Sequence, residues 1–379
     1  MLKRTFFTLL FLSSSVMADP VQDLINTHLK RYAEQEHFSA IQVSIKVGDK
    51  VSHYTAGTRS LDPDSPAITA DDLFDIGSIT KSFTAALAIK ADSEGKLALN
   101  KTVGDYLKNY PHWAGISLTG LLDMSTGIPN YSNAPTINYL FSKNIRQFWS
   151  QSQLVDLVYF KEYNPPRLDG YFYSNTGYIL MDMILSAQYK SSYEQLLVDR
   201  IIKPLGLNNT FYPLPDYTEA ELARMVRGYS WNIYDNPELL GRDVTQNNLS
   251  WAGAAGAIIS NSSDVLNWID ELFIKDRLLN NVEKTTMQQM ISLTSGKPIK
   301  QTDKNDPRAF ALGISQGYDD AMGQYWFYEG KTLGYRAVYM YSPANKIIIV
   351  TLYNSATNSE NDKVGELMQA LYLQVKPKA

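Results

Sequence analysis

The chain of 379 residues contains no cysteine, so neither a disulfide bond nor a lipid-bearing cysteine can contribute to its structure. Its four histidines are not spaced like zinc ligands, and we expect neither a metal nor any other cofactor. No G-x-S-x-G motif is present, which argues against a nucleophile elbow served by a Ser-His-Asp triad. A stable fold must therefore depend on its own core, and the 44% of hydrophobic residues is sufficient for one.

No apolar run in the N-terminal region is long enough to span a membrane, which takes about 20 residues. Lys3 and Arg4 precede a mostly apolar stretch over 5–12, and Val16-Met17-Ala18 then resembles a cleavage site. This order predicts a signal peptide over 1–18, with export to the periplasm or secretion. The alternative is a short uncleaved anchor.

Strong basic charge is also lacking. Without Lys3 and Arg4 the 35 basic residues fall to 33 against 39 acidic ones, a net charge of −6. A mildly acidic surface argues against nucleic acid as a partner. We expect the partner to be a small-molecule or peptide substrate.

The two ends of the chain both predict strands of one antiparallel sheet. Residues 40–47 alternate in polarity and turn at Gly48-Asp49 into a second strand, which predicts a hairpin. Near the C-terminus, alternation and turn signals predict strands over 324–329, 335–341 and 347–353. Periodic apolar residues predict flanking helices over 20–36 and 361–375.

The middle of the chain, from about 100 to 250, is instead typical of helices and long loops. We therefore predict an α/β (α+β) fold in a single domain, 19–379, whose antiparallel sheet is flanked by N- and C-terminal helices. Its α/β lobe would comprise about 19–100 and 255–379, and a helical lobe about 101–254. A cleft between the lobes is the expected place for a site.

Ser78 and Lys81 form an S-x-x-K motif at the predicted start of a helix. Residues three apart share a helix face, with Cβ atoms about 5–6 Å apart, so the lysine can accept the serine proton if burial keeps it partly neutral. The helix N-terminus also offers free N–H groups to a developing oxyanion. The motif alone is weak: a second copy, Ser93 to Lys96, falls across a helix end, and Ser78 could simply be a cap.

The context of Ser78 carries a family resemblance. Residues 74–83 (FDIGSITKSF) resemble the nucleophile segment of the family that holds class C β-lactamases, serine D-Ala-D-Ala carboxypeptidases, related esterases and D-amino-acid amidases. Further segments match in the same order between about residues 22 and 375: 116–129 (ISLTGLLDMSTGIP), 173–178 (YSNTGY), 204–207 (PLGL) and 252–257 (AGAAGA). The resemblance implies the β-lactamase/penicillin-binding-type fold.

The resemblance also implies roles for individual residues. Ser78 would be the nucleophile, with Lys81 and Tyr173 as its proton-transfer partners. Asn175 would orient the substrate and Lys81. The backbone N–H groups of Ser78 and Lys331 would form the oxyanion hole. Tyr-x-Asn occurs three times, beginning at Tyr131, Tyr173 and Tyr234, but only the second is followed by Thr-Gly-Tyr and an apolar helix.

The third family motif departs from its pattern. Where the family has K-T-G or H-x-G, this chain has Tyr328-Glu329-Gly330. Tyr328 can donate one hydrogen bond but brings no positive charge, which puts recognition of a substrate carboxylate in doubt. Reading Lys331-Thr332 as the motif instead would shift Gly330 out of register. Tyr328 and Gly330 are accordingly expected to contact and orient the substrate.

These observations predict a serine hydrolase that forms an acyl-enzyme on Ser78. The family's commonest use and the predicted export favour a D-Ala-D-Ala carboxypeptidase or β-lactamase-type enzyme acting on cell-wall peptides or β-lactams. The first alternative is a carboxylesterase or D-amino-acid amidase of the same family, since its esterases often carry an aromatic residue at the Tyr328 position. The second is a binding protein that has lost turnover.

Overall fold

The structure is a computed structural model that describes residues 19–159, 170–232, 236–358 and 362–377. The predicted signal peptide, 1–18, and the Tyr234-Asp235 part of the third Tyr-x-Asn triplet lie outside these ranges. In the described part no helix is long and apolar enough to cross a bilayer.

A nine-stranded antiparallel sheet forms the centre of the molecule, in the order β2-β1-β12-β11-β10-β9-β8-β6-β7. Its strands are β1 (Ala40–Val47), β2 (Lys50–Gly57), β6 (Met290–Ser292), β7 (Pro298–Ile299), β8 (Arg308–Phe310), β9 (Ser315–Asp319), β10 (Gly323–Lys331), β11 (Arg336–Ser342) and β12 (Ile347–Tyr353). Short strands pair beside it, β3 (Phe74–Asp75) with β5 (Ile259–Ser260) and β4 (Tyr229–Trp231) with β13 (Ser355–Thr357).

Helices cover both faces of the sheet and fill the region beside it. They are α1 (Pro20–Glu36), α2 (Thr80–Ser93), α3 (Val103–Tyr106), α4 (Leu118–Asp123), α5 (Pro135–Lys143), α6 (Gln151–Tyr159), α7 (Thr176–Tyr189), α8 (Tyr193–Leu197), α9 (Lys203–Leu205), α10 (Glu219–Arg224), α11 (Gly253–Gly256), α12 (Ser262–Phe273), α13 (Asn281–Met287) and α14 (Val364–Val375). The terminal helices α1 and α14 pack together on one face, and α12 packs on the other.

Strand β1 shows how the sequence pattern relates to the layers. Its apolar side chains Ile41, Val43 and Ile45 belong to the core beneath α1 and α14, as the alternation predicts. The opposite face is not exposed, as a half-buried strand would be: Lys46 forms an ion pair of 2.5 Å with Asp270 on α12. The polar alternate positions are therefore buried too, because α12 supplies their partners.

The sheet joins both ends of the chain, as predicted, with β1 and β12 paired in antiparallel register. The strands over 290–319 were not predicted, because they are two to five residues long and show little alternation. Helix α1 spans 20–36 as expected, and α14 begins at Val364 rather than at 361, which lies outside the described residues. The two-lobe division of the domain stays a prediction.

Candidate active site

Ser78 lies in a tight 3₁₀ turn, Gly77–Ile79, that leads directly into α2. Gly77 adopts a φ of +49°, and a Cβ atom there would come within 2.6 Å of the Lys331 backbone nitrogen. On the facing strand a Cβ atom at Gly330 would lie 1.9 Å from the Ile76 carbonyl oxygen. Only glycine fits either position, and the pair lets the nucleophile turn and β10 approach at backbone distance.

The structure brings Ser78, Lys81 and Tyr173 together. The Ser78 Oγ atom lies 2.6 Å from the Tyr173 hydroxyl oxygen, and the Lys81 Nζ atom lies 2.9 Å and 2.8 Å from these two oxygens. Lys81 donates a third hydrogen bond of 2.8 Å to the Ala255 carbonyl, which uses all the donors of an ammonium group. The three side chains thus form a closed triangle through which a proton can move.

Lys81 is fully buried, and no described carboxylate is paired with it. Its side chain is 0% exposed, and burial lowers the pKa of the ammonium group below its usual range, an effect that Tyr173 opposes. In the described part of the chain no acidic side chain forms an ion pair with it, and the rings of Tyr173 and Tyr178 face it at 5.0 Å and 5.4 Å. A buried lysine without a counter-ion releases its proton more readily than an exposed one.

Tyr173 differs from the tyrosines around it. It is 39% exposed, whereas Tyr131, Tyr178 and Tyr328 are buried. Burial raises the pKa of each of these three phenols above its usual range, so they stay neutral near neutral pH. Tyr173 is therefore the phenol of this group that a substrate can reach.

Asn175 caps α7 and lines the cleft, but it does not contact Lys81 through a described hydrogen bond. Its Nδ2 atom donates a hydrogen bond of 2.6 Å to the Ser132 hydroxyl, and its backbone N–H donates to the Asn130 Oδ1 atom. The three Lys81 donors are already occupied. Asn175 is thus anchored to the loop before α5, and its role in orienting the substrate and Lys81 stays a prediction.

Strand β10 places the altered third motif beside the nucleophile. Tyr328 is 7% exposed, packs on Phe310 with ring centroids 5.4 Å apart, and lines the cleft with Ser78. Its hydroxyl lies near Tyr173 without a well-directed hydrogen bond. The Lys331 ammonium group points elsewhere, donating to the Thr357 carbonyl at 3.0 Å. Among the described residues, no side-chain cation therefore occupies the place of the family's Lys or His.

The cleft in front of Ser78 encloses about 580 Å³ and is lined mainly by neutral polar and aromatic side chains. The neutral polar lining residues that sequence reasoning missed include Asn130, Ser132, Asn133, Asn138, Ser230, Asn232, Asn236 and Ser315. Ser132, Asn133 and Asn236 lie in the other two Tyr-x-Asn triplets. Because neither of these triplets is followed by Thr-Gly-Tyr and an apolar helix, neither is predicted as the catalytic motif. A weak signal existed for Asn130, which directly follows the family-like segment 116–129.

The histidines do not belong to this site. The four histidines do not line the cleft in front of Ser78: His28 is buried among aromatic rings, and burial lowers its pKa to about 4. Across the described ranges no group of His, Asp and Glu residues is arranged to hold a metal ion. The chemistry that the cleft can support is nucleophilic attack by Ser78, assisted by Lys81 and Tyr173.

The sheet, the flanking helices and the serine–lysine pair at a helix start are the features of a serine hydrolase with the β-lactamase/penicillin-binding-type fold. The sequence profile described as "Beta-lactamase" matches residues 25–374. The chain therefore belongs to the β-lactamase family, which includes β-lactamases, penicillin-binding proteins and amidases.

Curated relatives are distant. Penicillin-binding protein 4* of Bacillus subtilis (strain 168) is 23% identical over 282 residues, which cover 73% of this chain and 61% of that protein. A β-lactamase of Providencia stuartii is 24% identical over 270 residues, which cover 70% of this chain and 64% of the relative. The chain thus spans less than two thirds of the length of these relatives.

Solved structures confirm the predicted fold. A D-stereospecific amidohydrolase from Streptomyces sp. superposes with a TM-score of 0.77 at 22% identity, covering 93% of this chain and 99% of the other. The D-amino acid amidase from Ochrobactrum anthropi SV3, complexed with D-phenylalanine, gives 0.77 at 20% identity, covering 94% and 98%. A class C β-lactamase gives 0.71 at 19% identity, covering 95% and 97%. At these identities the likeness concerns the fold alone.

Proposed function

We propose that this protein hydrolyses a carbonyl substrate through an acyl-enzyme on Ser78. The observation that carries the proposal is the triangle of Ser78, Lys81 and Tyr173, closed by hydrogen bonds of 2.6 to 2.9 Å. A binding protein without turnover has no need for a buried lysine aimed at an accessible serine. The geometry thus favours an enzyme over the silent alternative.

Lys81 and Tyr173 share a proton through their hydrogen bond of 2.8 Å, and together they act as the base that activates Ser78. The Ser78 Oγ atom attacks the carbonyl carbon, its proton passes to the Tyr173 oxygen, and the carbonyl oxygen becomes an oxyanion facing the N–H groups of Ser78 and Lys331. The oxyanion then collapses, the bond to the leaving group breaks, and Tyr173 gives its proton to the leaving nitrogen or oxygen. An ester on Ser78 and a free alcohol or amine result.

Deacylation repeats these steps with water. A water molecule gives one proton to Tyr173 while its oxygen attacks the ester carbonyl, and the new tetrahedral oxyanion collapses with loss of the Ser78 Oγ atom. Tyr173 returns its proton to that atom. The product is a carboxylic acid, and the enzyme regains its starting protonation.

For the substrate, the structure favours the first sequence alternative, an uncharged ester or amide, over a peptide or β-lactam that must be held by its carboxylate. Tyr328 is buried beside Tyr173 and supplies no charge. The described cations that line the cleft are Lys331 and Arg308. Lys331 donates a hydrogen bond to the Thr357 carbonyl and lies 4.0 Å from Asp362, and Arg308 is exposed on β8. Likeness of fold to D-amino-acid amidases supports the same choice, although fold alone does not decide the substrate.

The decisive experiment combines labelling with a comparison of rates. A fluorophosphonate probe should add to Ser78 in the wild-type protein, as located by mass spectrometry, and should not add to Ser78→Ala. The specificity constant, kcat/KM, should be higher for a short-chain p-nitrophenyl ester than for nitrocefin or a D-Ala-D-Ala peptide. If neither the probe nor a penicillin labels Ser78 and no ester is hydrolysed, the binding-protein alternative takes its place.

Export of the protein also remains part of the proposal. It rests on the basic and apolar pattern of residues 1–18. Fractionation of cells that express the full chain, with N-terminal sequencing of the product, would test it. The expected result is a protein outside the cytoplasm whose first residue is Asp19.

A further inference from the structure

A buried side-chain bridge connects the two segments that carry the proposed oxyanion donors. Asp75 lies on β3, three residues before Ser78, and is 1% exposed. Its Oδ2 atom accepts a hydrogen bond of 2.8 Å from the Thr332 hydroxyl, and Thr332 directly follows Lys331. The bridge therefore joins the nucleophile segment to the end of β10, across 257 positions of sequence.

The bridge acts at short range on the two backbone N–H groups. Thr332 is the next residue after Lys331, and two residues, Ile76 and Gly77, separate Asp75 from Ser78. Each segment is also held by a backbone hydrogen bond, which the Ile76 N–H donates to the Ile258 carbonyl and the Thr332 N–H donates to the Tyr335 carbonyl. A change in the Asp75–Thr332 distance is therefore passed to the spacing between the Ser78 and Lys331 donors.

Among the described residues, no cation balances the charge of ionised Asp75. Burial raises the pKa of its carboxyl group to about 7, although hydrogen bonds from Thr332, Tyr217 and Asn247 oppose the rise. The phenols of Tyr217 and Tyr335 face it from neighbouring segments, and burial keeps both neutral by raising their pKa. No charged group affects this carboxyl in the described part of the chain. A buried carboxylate without a cation costs stability, so stabilisation of the fold does not account for it.

We propose that Asp75 is a positioning residue for the oxyanion hole, which holds the Lys331 N–H group at the correct distance from the Ser78 N–H group through its hydrogen bond to Thr332. The inference rests on the acyl-enzyme function proposed above. Donors act on a developing oxyanion only within a narrow distance, about 2.7–3.1 Å, so a small displacement of Lys331 lowers the rate of the chemical step. Asp75 itself does not touch the reacting atoms.

Thr332 offers the sharper test, because valine has nearly the same shape and lacks only the hydroxyl group. Thr332→Val should lower kcat for a p-nitrophenyl ester about 10-fold with KM within about 2-fold, and Thr332→Ser should restore kcat to within about 3-fold of wild type. Thr210→Val is the matched control, since Thr210 is also buried and donates to an aspartate, Asp264, at 3.1 Å, away from the cleft. It should lower the melting temperature and leave kcat unchanged.

Asp75→Asn adds a readout that a purely structural role would not move. Ionised Asp75 holds the Thr332 hydroxyl more strongly, so the wild-type acylation rate should contain a component that rises through about pH 7, and Asp75→Asn should lack it. If Asp75→Asn does not fold, the valine and serine variants at Thr332 decide the question.

Two outcomes would each contradict the positioning role of Asp75, and the experiment distinguishes them. If the wild-type protein is labelled at Ser78 while folded Thr332→Val keeps kcat within about 2-fold of wild type, the positioning role is wrong and the acyl-enzyme function stands. If the wild-type protein is neither labelled nor active, the proposed function fails and the positioning role fails with it.

Discussion

Tyr173 and Tyr131 both begin a Tyr-Ser-Asn triplet, yet their surroundings give them different chemistry. The Tyr131 hydroxyl is buried and donates a hydrogen bond of 2.5 Å to the Trp251 carbonyl. The Tyr173 hydroxyl is accessible and lies between Ser78 and Lys81. A phenol committed to a backbone carbonyl is structural, whereas one that faces a serine and a lysine can carry a proton.

The pair of triplets therefore provides a matched comparison. Tyr173→Phe should lower kcat/KM about 10²–10⁴-fold, because the proton carrier is lost while the ring remains. Tyr131→Phe should leave kcat/KM unchanged and destabilise the fold by about 1 kcal/mol, the usual worth of one hydrogen bond. Ester hydrolysis and urea unfolding measure the two effects. Equal losses of activity in both variants would contradict the assignment of Tyr173.

Tyr328 gives a second prediction at the residue scale, about the substrate. Tyr328→Lys should raise kcat/KM for a D-Ala-D-Ala peptide relative to a neutral ester by about 10-fold, because a charge-assisted hydrogen bond to a carboxylate becomes available. Tyr328→Phe is the control: it removes the hydroxyl without adding charge and should not change this ratio. An unchanged ratio in Tyr328→Lys would show that carboxylate recognition does not depend on this position.

At the scale of elements, β10 and the turn before α2 work as one unit because their backbones nearly touch. The sequence pattern predicted a strand at 324–329 and a helix after Ser78, and the resemblance implied that they meet at an oxyanion hole formed by the Ser78 and Lys331 N–H groups. Their approach depends on Gly77 and Gly330, whose missing side chains leave room for the facing backbone. A glycine in a family motif thus indicates a close backbone contact, and the structure identifies the atoms that it contacts.

Gly330→Ala tests this contact. Its methyl group would lie 1.9 Å from the Ile76 carbonyl oxygen, so β10 must move away from the nucleophile turn. We expect kcat to fall at least about 100-fold while the circular dichroism spectrum stays the same, since the displacement misplaces an oxyanion donor. Gly115→Ala, where nothing lies within 4 Å of the added methyl group, should behave like wild type. Full activity of Gly330→Ala would mean that β10 can move away from the nucleophile turn without affecting catalysis.

At the scale of the whole molecule, a buried carboxyl group can lower the free energy of unfolding as the pH rises. Asp182 on α7 is 2% exposed and accepts a hydrogen bond from Ser186, and burial raises its pKa to about 6 from the usual 3.8. Because the folded state binds this proton more tightly than the unfolded chain, the stability that Asp182 contributes is fully present below about pH 4. This contribution of Asp182 is lost as the pH rises towards 6.

Asp182→Asn should remove this dependence. At pH 8 we expect the variant to be more stable than wild type by up to roughly 3 kcal/mol, the equivalent of about two pKa units. At pH 4 the difference should nearly vanish, because Asp182 is then protonated in the folded protein. Urea unfolding at the two pH values measures both, and kcat should not change because Asp182 lies outside the cleft. A variant that is less stable at pH 8 would contradict the direction.

The sequence by itself determined the family, the nucleophile segment and the joining of both chain ends in one sheet. Alternation, turn residues and the order of motifs are local properties, and they carry this information without knowledge of contacts. The tertiary structure decided that Lys81 has no counter-ion among the described residues, that Asn130 and Ser132 line the cleft, and that Thr332 donates a hydrogen bond to Asp75. These facts depend on distances between residues far apart in the chain, and a linear pattern does not encode such distances.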